Sequence, residues 1–235
     1  MDFAAPAHPC AHGIRASLHI TKVYDTLYAR YGPQHWWPGD TPFEIMVGAV
    51  LTQNTAWTNV EKAIANLKAA GHLDAACIMN IGHEQLAEWL RPSGYFNVKA
   101  QRLRNFCTWY VAQGGMEALS ALDTHALRNA LLSVHGIGPE TADDILLYAF
   151  NRPVFVIDTY TRRLFSRLGL AHGNEGYETL RHTFETALSS NSNNATVPLF
   201  NEYHALIVNH AKDVCRKRPL CARCCLADIC PSKTT

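Results

Sequence analysis

The sequence predicts an all-α protein, and three observations carry the prediction. Apolar residues recur at helical spacing, as in Leu122, Ala126, Leu127, Ala130, Leu131 and Val134, and again in Ala142, Ile145, Leu146 and Ala149. Strand signals are weak: a run such as Val154-Phe155-Val156-Ile157 is too short and too isolated to build a sheet. Between the two helical patterns lies His135-Gly136-Ile137-Gly138-Pro139, a tight turn that makes a helical hairpin of its flanks.

Taken in order, residues 1–13 read as a loose terminus and Ser17–Tyr31 as the first helix. The loop Gly32–Asp40 carries two adjacent tryptophans, Trp36 and Trp37. A helix starts near Thr41-Pro42 and presents Phe43, Ile45, Met46, Val47, Val50 and Leu51; its end reads GAVLTQNTAW. Helical stretches follow at Asn59–Ala70, Leu73–Ile81 and His83–Leu90. After Arg91–Phe96 comes another at Asn97–Val111. The hairpin helices span Leu122–Val134 and Pro139–Phe150, with Pro139 suited to a first helical position. Asp158-Thr159 opens the next helix, where Asp158 is a natural cap. A loop at His172–Asn174, a helix at Tyr177–Leu188, a polar linker at Ser189–Thr196 and a final helix at Pro198–Ala211 complete the chain. No internal repeat, signal peptide or membrane-spanning run is apparent, which points to a cytoplasmic protein with no membrane partner.

At 235 residues and 48% hydrophobic the chain can bury a real core. A net charge of +1 excludes binding to a polyanion by bulk charge alone, so any such binding must rest on local geometry and a local basic face.

Two features carry chemistry. The glycines around Ile137 let a ligand approach the backbone, and the helix beginning at Pro139 presents unpaired N–H groups that suit a phosphate. The same turn is also what an ordinary helical hairpin uses, with Ile137 as a packing plug. In the tail, Cys215, Cys221, Cys224 and Cys230 form C-x5-C-x2-C-x5-C. Four thiolates at such spacing hold an iron–sulfur cluster or a tetrahedral zinc. Cys225 is an extra neighbour, and Cys224 is read as the ligand because it preserves the later spacings. Cys10, Cys77 and Cys107 sit in or near apolar patterns. Among the 12 histidines, His204 and His210 lack H-x3-H spacing and are read as structural or as facing a bound polyanion.

Gly136-Ile137-Gly138-Pro139-Glu140-Thr141-Ala142-Asp143 followed by Phe155-Val156-Ile157-Asp158-Thr159-Tyr160 resembles the signature of the endonuclease III (HhH-GPD) superfamily of DNA glycosylases. Gly94–Ala100 is similar to that family's GLYNxKA segment, and Leu51, Gln53 and Thr55 to its LxxQxT segment. HWWP, GAVLTQNT, RPSG and the hairpin itself resemble most the bacterial 3-methyladenine DNA glycosylase branch, over about His35 to Lys212.

The resemblance implies a two-lobed helix-hairpin-helix fold with a C-terminal 4Fe-4S cluster loop. A helical barrel at 41–153 would form one lobe; residues 1–40 and 154–235, with the cluster loop at 215–230, would form the other. DNA would lie in the cleft between them. Asp158 falls on the catalytic aspartate, and Gly136, Ile137 and Gly138 on the phosphate-binding hairpin. Trp36, Trp37, Trp57, Gln53 and Glu140 fall around the base pocket, with Gln53 filling the gap left by a flipped base. Tyr95 falls on a wedge into the duplex. Lys212, Arg216, Lys217 and Arg218 supply phosphate contacts, and Lys212 matches a lysine that is modified in relatives lacking the cluster. The first cysteine gap is one residue shorter than the family's.

Glu140 stands where the bifunctional enzymes carry the lysine that attacks the sugar, and a carboxylate cannot supply that amine. In the first turn of a helix its charge is also favourable to the helix. The expected function is a monofunctional, monomeric glycosylase that flips alkylated purines such as 3-methyladenine and 7-methylguanine out of double-stranded DNA. Two other readings share the motifs: a glycosylase with lyase activity for oxidised pyrimidines or mismatched thymine, and a non-catalytic DNA-binding module.

Overall fold

A computed structural model of the chain describes residues 9–36, 39–191 and 197–234. The first eight residues, Trp37 and most of the polar linker lie outside them. The described residues are helical, without a strand. None of their helices is long and apolar enough to cross a membrane. The chain divides into two compact units: Trp37–Arg152, and Met1–Trp36 together with Pro153–Thr235.

The first of these is built around α2 (Pro42–Leu51), in which every residue from Glu44 to Leu51 is buried. A helix apolar on all sides belongs at the centre of a core. Thr41 caps it by accepting the Glu44 N–H at 3.1 Å, and Pro42 occupies its first turn. Glu44 is buried, and the Lys68 ammonium reaches its carboxyl group at 2.7 Å. Around α2 lie α3 (Trp57–Ala69), α6 (Phe96–Ala112) and α9 (Pro139–Asp144), while α4 (Ala75–Asn80) and α5 (His83–Leu90) pack on α6. After α7 (Gly115–Ser120), α8 (Thr124–Leu132) turns back through Gly136 into α9. The expected single helix from Pro139 to Phe150 is two structures. The α-helix ends at Asp144, and Ile145–Ala149 continues as a π-helical turn, with the Phe150 N–H reaching the Ile145 carbonyl at 3.2 Å.

The other unit packs α10 (Thr159–Arg167) on α12 (Val197–Asp213), and α1 (Pro9–Tyr31) on both α11 (Tyr177–Asn191) and α12. The first helix begins at Pro9, inside the stretch expected to be loose; a proline at the first position of a helix loses no needed N–H. Phe155, Phe165, Phe184, Phe200 and Tyr203 form the core, with Phe155 stacked on Phe184 at 4.7 Å and Phe165 edge-on to Phe184 at 4.6 Å. Val154–Ile157 is buried but pairs with no strand. Two of its N–H groups are taken by side chains: the Phe155 N–H donates to Glu185 Oε1 at 3.0 Å and the Ile157 N–H to the Tyr177 hydroxyl at 3.4 Å.

Candidate active site and DNA interface

Asp158 is delivered by that buried segment to the N-cap of α10. Its Oδ1 accepts the Thr161 N–H at 2.7 Å. Its Oδ2 lies 3.5 Å from His204 Nε2, long for a hydrogen bond but close for an ion pair. Burial alone pushes the Asp158 carboxyl up; His204 and the Thr161 N–H outweigh it, and the net shift is downward. Capping and an ionised carboxylate therefore coexist in one side chain. His204 sits on the buried face of α12 beside Tyr203, and the Trp36 ring lies 5.9 Å from its imidazole, tilted by 47°. His204 is 4% exposed and His210 is 0%, so neither faces DNA as a surface side chain. The signal available in the sequence was burial: a histidine on an apolar stripe needs a polar partner.

In the hairpin, Gly136 has φ +101°, and a Cβ there would come within 2.5 Å of Arg102 Cγ. Ile137 is buried and its N–H closes the turn on the Val134 carbonyl at 3.0 Å, so it is the plug of the hairpin. Gly138 precedes α9 in an extended conformation. Gln53 is bound to the hairpin from within: its amide N–H2 donates to the Gly136 carbonyl and to Thr141 Oγ1, both at 3.0 Å, and its carbonyl accepts from Arg102. Those bonds occupy the amide that a gap-filling role would use. Glu140 is exposed in the first turn of α9, where a negative charge suits the helix.

Trp57 begins α3 half-buried against Gly48, where an added Cβ would sit 2.9 Å from the tip of the indole. Trp36 belongs to the same unit as Asp158, whereas Trp57, Gln53 and Glu140 belong to the other. Trp37 is outside the described residues. Tyr95 is 72% exposed and holds a left-handed φ of +47° at the start of α6. In the preceding turn the buried Lys99 side chain donates to the Ser93 carbonyl at 2.6 Å, and the Ser93 hydroxyl to the Leu90 carbonyl at 2.7 Å. Lys99 stands in the Gly94–Ala100 motif.

In the tail, Cys215, Cys221, Cys224 and Cys230 line one cavity together with Arg167, Val214, Leu220 and Ala227. Cys225 is not among its lining residues. Burial, and with it the like charges of Cys225, Cys215 and Cys230, pushes the Cys224 thiol up to about 11. Arg167 donates to the carbonyls of Cys215, Arg216 and Lys217 at 3.1, 2.8 and 3.0 Å, and lies 3.3 Å from Cys215 Sγ. The loop backbone is thus held inward, and Arg216, Lys217 and Arg218 are exposed, as is Lys212. Among the described residues no three His, Cys, Asp or Glu side chains are drawn together as a metal-holding set. Four thiols bordering one cavity nevertheless suit a soft metal centre in donor type and number.

Residues 47–190 match the HhH-GPD superfamily base excision DNA repair protein profile. The chain is 45% identical over 217 residues to a protein of Methanocaldococcus jannaschii provisionally described as a DNA repair glycosylase, covering 91% of this chain and 96% of that one. It is 30% identical over 192 residues to endonuclease III of Sulfolobus acidocaldarius, covering 80% and 81%. Its structure is similar to that of the 3-methyladenine DNA glycosylase of H. pylori bound to 1,N6-ethenoadenine, with a TM-score of 0.71, 33% identity, and coverage of 85% of this chain and 97% of that one. An endonuclease III–DNA complex shares the fold at a TM-score of 0.78 and 19% identity, over 92% and 96%.

Proposed function

The chain belongs to the HhH-GPD superfamily of base excision DNA repair proteins, and we propose that within it this DNA glycosylase is monofunctional and releases alkylated purines. The observation that carries the reading is Asp158, a buried carboxylate kept ionised at a helix N-terminus. Breaking an N-glycosidic bond builds positive charge on the sugar. An ionised Asp158 stabilises that charge and orients the attacking water. The hairpin supplies no amine nucleophile at residue 140, so water completes the reaction and the sugar–phosphate backbone stays intact.

The substrate class follows from the leaving group. A base that already carries positive charge, such as 3-methyladenine or 7-methylguanine, departs without a proton donor. Aromatic faces favour such a base by about 0.5–2 kcal/mol per good contact, and Trp36, Trp37 and Trp57 are the rings we assign to it. The similarity to an H. pylori 3-methyladenine enzyme at 33% identity supports the assignment. Gly136 and Gly138 at the hairpin, with exposed Lys212, Arg216, Lys217 and Arg218, would meet phosphates, and Tyr95 would enter the duplex as the base turns out.

Cys215, Cys221, Cys224 and Cys230 are the residues that would hold a 4Fe-4S cluster. When bound, such a group ties the tail together and adds its binding free energy to folding. Arg167 keeps the basic loop presented outward.

The test is chromatography of bases released from methylated duplex DNA by wild type and by Asp158→Asn. Wild type is expected to release 3-methyladenine or 7-methylguanine without strand cleavage, and the variant about 10²- to 10⁴-fold more slowly. Release of thymine glycol or mismatched thymine instead would overturn the substrate class and leave a glycosylase. Silence on all substrates would leave a DNA-binding module.

A further inference from the structure

We propose that His204 is a positioning residue for the glycosylase step: it pairs with the Asp158 oxygen that Thr161 does not take, and so keeps the carboxylate charged and aimed. This rests on the reading of Asp158 as the catalytic carboxylate. Nothing in the motifs or their spacing points to His204, which lies 46 residues further along, on α12.

The geometry divides the carboxylate between two elements. Oδ1 belongs to α10 through the Thr161 N–H at 2.7 Å. Oδ2 faces His204 Nε2 at 3.5 Å. A carboxylate only accepts, so the contact is favourable when Nε2 carries a proton, in the matching neutral tautomer or in the imidazolium. Both side chains are close to dry, with 5% of His204 and 12% of Asp158 exposed. In such a setting an unassisted carboxyl takes up a proton and loses the charge that the reaction needs. His204 opposes that, and the direction in which the Asp158 carboxyl is displaced agrees.

The imidazole is itself held. Its neighbour Tyr203 anchors α12 by donating its hydroxyl to the Ile20 carbonyl at 2.7 Å, and the Trp36 ring lies 5.9 Å from the imidazole, tilted by 47°. The other polar and ionisable groups around this part of α12 are turned to different partners. From α10, Arg163 donates to the carbonyls of Ala211 and Cys215. From α1, Tyr31 pairs with His210 at 2.8 Å, and Tyr24 lies against Tyr28 and Tyr203. From the segment after α1, the Gln34 N–H takes Glu202 at 2.7 Å. The direct polar pair of Asp158 with α12 is therefore His204.

The inference predicts a pH signature. Removing His204 removes the larger of the influences that lower the Asp158 carboxyl and leaves burial opposed by Thr161 alone. The carboxyl then titrates at higher pH, and the acid limb of the rate profile moves up with it. The experiment is the single-turnover rate of base release from methylated duplex DNA across pH, for wild type, His204→Gln and His204→Phe, with thermal melts of each. Glutamine keeps a donor without a charge, and phenylalanine keeps only bulk. The acid limb is expected to move to higher pH, further for phenylalanine than for glutamine. The rate loss is expected to be largest at low pH and to shrink as pH rises. A loss equal at every pH, or a limb that stays in place in folded variants, would overturn the positioning role alone. No release by wild type would overturn the alkylpurine reading and this inference together.

Discussion

Lys99 carries its ammonium group into the interior at 1% exposure and spends it on the Ser93 carbonyl, under the exposed Tyr95. Burial, followed by the nearby Arg102, lowers its pKa from 10.5 to about 8. The sign of the consequence is fixed by proton counting. Below about pH 8 the folded and unfolded chains both hold the proton; between about 8 and 10.5 the unfolded chain still holds it and the folded chain has released it. Stability contributed by Lys99 therefore rises with pH through that window. Urea unfolding of wild type and Lys99→Met is expected to show a difference that grows in favour of wild type from pH 8 to 10. A difference independent of pH would mean that the ammonium is well solvated. Asp158 was legible at this scale, because its motif is local: a buried apolar run, then a capping residue. His204 was not, because its partner lies in another helix and an isolated histidine carries no spacing.

Among elements, the hairpin is held by an ion pair far from its turn. Arg128 on α8 grips Asp143 on α9 through Nε at 2.6 Å and Nη2 at 3.2 Å, and Asp143 is fully buried. Arg128→Met would leave that carboxylate buried without its guanidinium. The expected cost is about 3–5 kcal/mol in chemical denaturation, with weaker DNA binding as the two helices lose their register. An unchanged melting curve would show that another partner takes over. The turn was readable from its glycines and proline, and α2 from its unbroken apolar run. The π-helical turn was not. Residues 145–150 are buried on every side, so their apolar pattern has no period to betray a wider turn. The bond from Gln53 to the Gly136 carbonyl was hidden for a different reason: its partner lies 83 residues away.

For the whole molecule, a net charge of +1 leaves little bulk charge to hold DNA, and the tail carries three consecutive exposed basic residues, Arg216, Lys217 and Arg218. Cysteine identity can be tested directly there. Purified wild type is expected to contain iron and acid-labile sulfide, and Cys224→Ser to lose both along with thermal stability. Cys225→Ser is expected to retain them, since its side chain does not border the cavity. Zinc in place of iron, or loss of metal in the Cys225 variant as well, would reassign the ligands. The three spacings between these cysteines were visible in sequence. The clamp from Arg167 was not, because a guanidinium that binds carbonyls leaves no pattern in the residues it binds.

The indole at position 57 and the bare backbone at position 48 have an evolutionary corollary. With 2.9 Å between a prospective Cβ and the ring tip, the two positions cannot drift independently. A descendant that first exchanged Trp57 for a smaller ring would gain room for alanine at 48. One that acquired the alanine first would meet a steric barrier. The order of inheritance is constrained, and a change in the chosen base that runs through this ring would leave its trace as a paired substitution, with position 57 moving first.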